Sequence, residues 1–211
     1  GGSALRGSSG SDFEAYGGRL KERGGRTDES LEIIHRLWTE DSVTFEGKYL
    51  DIQDYTLAPK PTSKPHPPII VGGHAEAVLR RAGRWSDGLM PVRQTVEGAK
   101  SLFERVEAYG KQHGRKPEEF TRYFMFHTCL GETPQKAADT ASRVLSERYN
   151  AKNIITPEDP YLLGPASHCR EVIEQFIEEA GVNHFIIHFC CDPEDVHNQV
   201  KELAEQIIQK L

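Results

Sequence analysis

No apolar run in this sequence approaches the roughly 20 residues that a bilayer-spanning helix requires. Hydrophobic residues make up 37% of the 211 positions, so no membrane partner is expected. No secretory signal pattern is recognisable. Basic charge is in deficit: 26 Lys and Arg stand against 32 Asp and Glu, and the net charge of −6 repels phosphate backbones, which argues against a nucleic-acid partner. Cysteine is scarce. Cys129, Cys169, Cys190 and Cys191 have no CxxC spacing, and the adjacent pair is badly disposed to bridge itself, so reduced thiols in the cytoplasm are expected. A metal-ligand pattern is also missing. His184 and His188 lie on one extended strand, where i and i+4 are about 13 Å apart, beyond the reach of one zinc ion with bonds of about 2 Å. No Ser-His-Asp or Cys-His arrangement follows from the spacings, and no catalytic residue is named.

What the chain does contain is an alternation of short apolar segments with longer amphipathic ones. Leu31, Ile34, Leu37 and Trp38 recur at helical spacing, predicting a helix from Asp28 to about Thr39 with Thr27 as N-cap. Ser42–Glu46 and Lys48–Ile52 flank Gly47 as a β-hairpin. Pro59 to Pro68 is too proline-rich for a helix and reads as an extended approach. Strands are expected at Ile69–Val71, Gly88–Val92, Tyr123–Leu130 and His184–Phe189. Between them helices are expected at Glu76–Trp85, Thr95–His113, from Pro134 to Tyr149, and at Cys169–Ala180, closed by Gly181. A last helix spans Pro193–Lys210, and residues 150–165 read as a loop on the functional face or an ordered insertion. Such an alternation is the signature of parallel βα units.

The junction at Gly72-Gly73 carries the most chemistry. A strand ends, two residues without Cβ let the backbone approach a ligand, and a helix begins at once, so the N–H groups of its first turn, near Ala75 to Val78, face an anion. A tight turn with no ligand is the plainer alternative. Arg80, Arg81 and Arg84 read as a solvated helix face, and Asp87-Gly88 as the turn into the next strand, where glycine tolerates the left-handed region. On the last strand, His184, Ile186 and His188 share one face, and Phe185, Ile187 and Phe189 the other. His188 reads either as a polar contact near a bound cofactor or as a hydrogen-bonded structural histidine.

Several segments, in order, resemble the luciferase-like monooxygenase family of flavin- or deazaflavin-dependent (β/α)8 barrels. They are Asp12-Phe13-Glu14-Ala15-Tyr16-Gly17 with Glu22-Arg23-Gly24 and Asp28-Glu29-Ser30-Leu31; Leu37-Trp38-Thr39 with Phe45-Glu46-Gly47-Lys48-Tyr49; the Gly72-Gly73 junction; Ser86-Asp87-Gly88; and Ala180-Gly181-Val182-Asn183-His184-Phe185. The resemblance implies an α/β fold: the C-terminal half of a TIM barrel, four parallel βα units with the hairpin outside. It implies an oxidoreductase or monooxygenase using FMN or a deazaflavin coenzyme on a small-molecule substrate, with Gly72, Gly73, His74, Ala75 and Val78 at the cofactor. Where relatives often carry Ser, Thr or Glu, this chain has His74.

Residues 1–11 read as a flexible Gly/Ser linker or appended segment, with a natural glycine-rich loop as the alternative, and residues 12–211 as the half-barrel domain. Half a barrel leaves strand edges and an inner face open. Self-association or a complementary N-terminal half barrel is therefore expected. The competing function is a catalytically inert half-barrel scaffold that keeps at most a phosphate-binding loop. Some other phosphate-binding barrel, such as an isomerase, is a third and weaker reading.

Overall fold

The computed structural model describes residues 19–149, 155 and 160–211. The expected linker at 1–11, the segment Asp12–Gly17 and most of the 150–159 stretch lie outside these described residues. The described residues divide into two compact units, 19–89 with 106–120, and 90–105 with 121–211.

In the first unit a single 3-10 turn, Leu20–Glu22, runs into helix α1, Arg23–Thr39. The helix thus starts one turn earlier than expected. Thr27 is not its cap but an interior residue, whose Oγ1 donates to the Arg23 carbonyl at 2.7 Å. Tertiary contacts override the weak helix propensity of the first turn: Arg26 pairs with Glu22 at 3.2 Å and lies 5.2 Å from the centre of the Tyr49 ring, while Arg81 donates to the Gly24 carbonyl at 3.0 Å.

The hairpin is present as β1, Val43–Glu46, and β2, Asp51–Tyr55, antiparallel with Glu46 opposite Asp51 and Phe45 opposite Ile52. Its turn is fastened to α1 by one carboxylate. Glu29 accepts the N–H groups of Lys48, Tyr49 and Leu50 at 2.8, 2.9 and 2.9 Å. Gly47 is required by this approach, since a Cβ there would lie 2.5 Å from Glu29 Oε2.

Strand β3, Ile70–Gly72, leads to helix α2, Glu76–Trp85, and on to β4, Gly88–Met90, which is hydrogen-bonded to β3. Asp87 does more than turn the chain. Its Oδ2 accepts the Ile69 N–H at 2.7 Å while its own N–H donates to the Ile69 carbonyl at 2.8 Å, pinning the starts of β3 and β4 together. Gly88 is not among the residues with positive φ, so the left-handed turn expected there is replaced by this side-chain clamp. Helix α3 follows at Val96–Lys111.

In the second unit β5, Thr121–Leu130, is the central strand. Strand β7, His184–Phe189, pairs with it in parallel from Tyr123 opposite His184 to Thr128 opposite Phe189. Val92 makes a parallel bridge to Met125. A strand not foreseen in the sequence, β6 at Leu162–Gly164, pairs in parallel with Thr128–Leu130. Helices α4, Pro134–Tyr149, α5, Ala166–Ala180, and α6, Val196–Gln206, complete the unit.

Alternation decides the faces. Phe124 and Phe126 of β5 are fully buried against Phe176 of α5, with ring centroids 4.4 and 5.0 Å from it. Tyr123, Met125 and His127, pointing the other way, are only partly buried. Beyond β5 the ladder is finished by a side chain: Gln199 of α6 accepts the Leu130 N–H at 2.7 Å and donates to the Leu130 carbonyl at 2.9 Å. Among the described residues no helix is long and apolar enough to cross a membrane.

Candidate functional site

Four of the five expected cofactor residues form one continuous turn. Gly72 ends β3, Gly73 follows with φ +129°, His74 and Ala75 are exposed, and Ala75 is the N-cap of α2 in an extended conformation. Val78 joins them from the first helical turn. A Cβ on Gly73 would meet Val78 Cγ1 at 3.4 Å and would sit on a backbone that L residues rarely adopt. Ala75 offers no side-chain cap. The N–H groups of Val78 and Leu79 are already spent on the Ala75 carbonyl, at 2.8 and 3.1 Å, so an anion here would be met by the amides preceding Val78. Glu76, which would repel it, is drawn down the helix: its carboxylate takes the Tyr109 hydroxyl and lies 3.8 Å from Arg80 Nε. The junction therefore has the conformation of an anion-binding turn, with the one first-turn carboxylate paired.

Of the arginines behind it, Arg80 and Arg84 lie on the solvated face expected of them, and Arg81 does not. Arg81 is 9% exposed along its side chain and pairs with Asp28 at 2.5 Å, and Arg84 lies 3.6 Å from Glu32. Arg81 is thereby committed to α1.

A second polar cluster stands where β5 and β7 end. The parallel register sets His127 opposite His188, with ring centroids 5.0 Å apart, and the Cys190 thiol points to the same place. The ligand atoms of these three side chains lie within 4.8 Å of one another. Arg148 of α4 makes a close contact with His188 Nε2. Burial and the Arg148 charge both hold the His188 pKa below the ordinary imidazole value. The two expected histidines, His184 and His188, do not converge. What sequence spacing missed was the neighbour on the adjacent strand, detectable only by aligning Tyr123–Thr128 with His184–Phe189.

All four cysteines are free and buried. Burial pushes the Cys129 and Cys190 thiols up to about 11 and Cys169 up to about 12. Also in the second unit, a groove of about 810 Å3 runs among the sides of α4 and α5, and none of Gly72, Gly73, His74, Ala75 and Val78 lines it.

The profile of the luciferase-like monooxygenase family matches residues 5–210. The chain belongs to this family. Among relatives of the luciferase-like chain, an FMNH2-dependent dimethylsulfone monooxygenase from Pseudomonas putida is 36% identical over 93 residues, 44% of this chain and 26% of its own length. An F420-dependent glucose-6-phosphate dehydrogenase from Amycolatopsis mediterranei is 27% identical, covering 91% of this chain and 62% of its own. In fold, the monooxygenase RslO1 from Streptomyces bottropensis superposes with a TM-score of 0.77 at 22% identity, over 95% of this chain and 65% of that one. The chain thus spans less than two thirds of the length of each. The expected α/β class, parallel βα units of a partial luciferase-like barrel with the hairpin outside, is the fold found.

Proposed function

We propose that this luciferase-like chain is part of a flavin- or deazaflavin-dependent oxidoreductase, and that Gly72, Gly73, His74, Ala75 and Val78 hold the cofactor's phosphate end. The observation that carries this is Gly73, whose φ of +129° lies between the end of β3 and the start of α2. An L side chain rarely adopts this backbone, so the turn that points the first amides of α2 outward depends on glycine. Both cofactor classes are represented among the relatives, reduced FMN in the dimethylsulfone monooxygenase and F420 in the dehydrogenase. When bound, the isoalloxazine or deazaflavin ring supplies the redox chemistry, and the protein supplies position, electrostatics and exclusion of water. In this chain the backbone amides ahead of Val78 orient the phosphate. Glu76 is kept off it by Tyr109 and Arg80, and exposed His74 borders the turn. The substrate is a small molecule.

Titration with FMN and with F420, followed by cofactor fluorescence, tests this reading. Gly73→Val should weaken binding of the preferred cofactor by at least about tenfold, since the new side chain meets Val78 and strains the turn. Equal affinity of the two proteins would move the site elsewhere.

A second reading, a self-associating scaffold without turnover, draws support from the sheet face of β7, where Ile186 is 41% exposed. An exposed isoleucine between His184 and His188 on a strand face is covered when complementary strands pack on it, from another copy or from the remaining part of a barrel. The four buried free thiols suit a reducing compartment, and we place the protein in the cytoplasm.

A further inference from the structure

We propose that His127, His188 and Cys190 form a binding site for a borderline divalent first-row cation such as Zn(II), with a fourth position open to solvent or ligand. The proposal is independent of the cofactor loop. Two imidazoles and one thiolate are a donor set suited to zinc and its neighbours, and too soft for magnesium or calcium.

The convergence is built by the backbone. Parallel pairing of β5 with β7 places His127 directly opposite His188 on one face of the sheet. Cys190, two residues after His188, returns to that face, and its N–H is fixed to the Thr128 carbonyl at 2.8 Å. Paired histidines also occur as simple packing. Here a third donor, buried, is aimed at the same point, and all three ligand atoms lie within 4.8 Å. Tetrahedral zinc with bonds of about 2.0–2.3 Å needs ligand atoms roughly 3.3–3.8 Å apart, so the side chains have only to close by about 1 Å. Side-chain rotation supplies that without moving either strand. The thiol gives its proton to solvent as the metal binds.

Among the described residues, Arg148 is a group that opposes the metal. Its guanidinium donates to His188 Nε2, so without metal it occupies the lone pair that a cation would take. It is exposed and belongs to α4 rather than to the strands, and can swing out to water. A cation is therefore already accommodated beside His188, held there as a removable plug.

Titration of the full chain with Zn(II), and with Co(II) as a spectroscopic probe, tests this. One equivalent of Co(II) should bind with thiolate-to-metal charge-transfer absorption in the near ultraviolet. Cys190→Ser should lose that absorption, while Cys191→Ser and Cys129→Ser keep it. His127→Ala and His188→Ala should each weaken Zn(II) binding at least tenfold, and Arg148→Met should tighten it. Circular dichroism checks that each variant is folded. If Cys190→Ser does not fold, the partly exposed His127 and Arg148 positions carry the test with their opposite signs. Absence of stoichiometric binding, persistence of the charge-transfer band in Cys190→Ser, or unchanged affinity in both His127→Ala and Arg148→Met would overturn the site.

Discussion

Thr128 carries a buried hydroxyl whose Oγ1 has no hydrogen-bond partner among the described residues, although its carbonyl accepts the Cys190 N–H. An unpartnered buried polar atom is a standing cost, and a shape-matched apolar side chain removes it. Thr128→Val should raise stability by about 1 kcal/mol, read as a higher denaturant midpoint, and a fall in midpoint would reveal a partner for the hydroxyl. His35 carries a pH signal. Burial, reinforced by the neighbouring charge of His66, depresses its pKa below 6.5. Between that depressed value and 6.5 the unfolded chain binds more protons than the folded one, so stability rises with pH. Acidification from about pH 7.5 towards 5 should therefore destabilise the protein and then level off below the folded pKa. His188, depressed for a related reason, contributes with the same sign. Replacing both, His35→Gln with His188→Asn, should flatten the slope measured by thermal melts across that range.

Among the elements, those with strong periodicity or clear punctuation were legible. Helix α2 and strand β7 fall on the expected residues, Glu76–Trp85 and His184–Phe189. Gly72-Gly73 was legible for the same reason, since a strand, two glycines and a helix leave few alternatives. Strand β6 was not, because three residues among prolines carry no period and depend wholly on the partner Thr128–Leu130. The start of α1 was missed where long-range partners replaced a local cap. Glu29 is the clearest such case. Burial alone would raise its carboxyl pKa, yet the N–H groups of Tyr49, Lys48 and Leu50, aided by Arg26, hold it below the ordinary value. No spacing within Asp28–Leu31 announces a contact 20 residues away. Glu29→Ala should release the hairpin from α1, seen as faster amide exchange at Lys48, Tyr49 and Leu50 with other helices unaffected; unchanged protection there would show that packing holds the turn without the carboxylate.

For the molecule as a whole, the family match and the parallel units agree, while the chain spans only 62% and 65% of the dehydrogenase and RslO1 lengths. Expected self-association belongs to this scale. With β7 presenting Ile186 and His184 outward, sedimentation velocity at micromolar concentration should show a dimer or larger species, and Ile186→Lys should shift it towards monomer. A well-behaved monomer for the unaltered chain would remove the case for association through this face. The Gln199 amide, finally, completes β5 from 69 positions downstream. A strand whose last rung comes from α6 cannot be finished while that helix is still unsynthesised. During translation the end of β5 must wait with its Leu130 groups hydrated, and the second unit locks only after α6 has emerged.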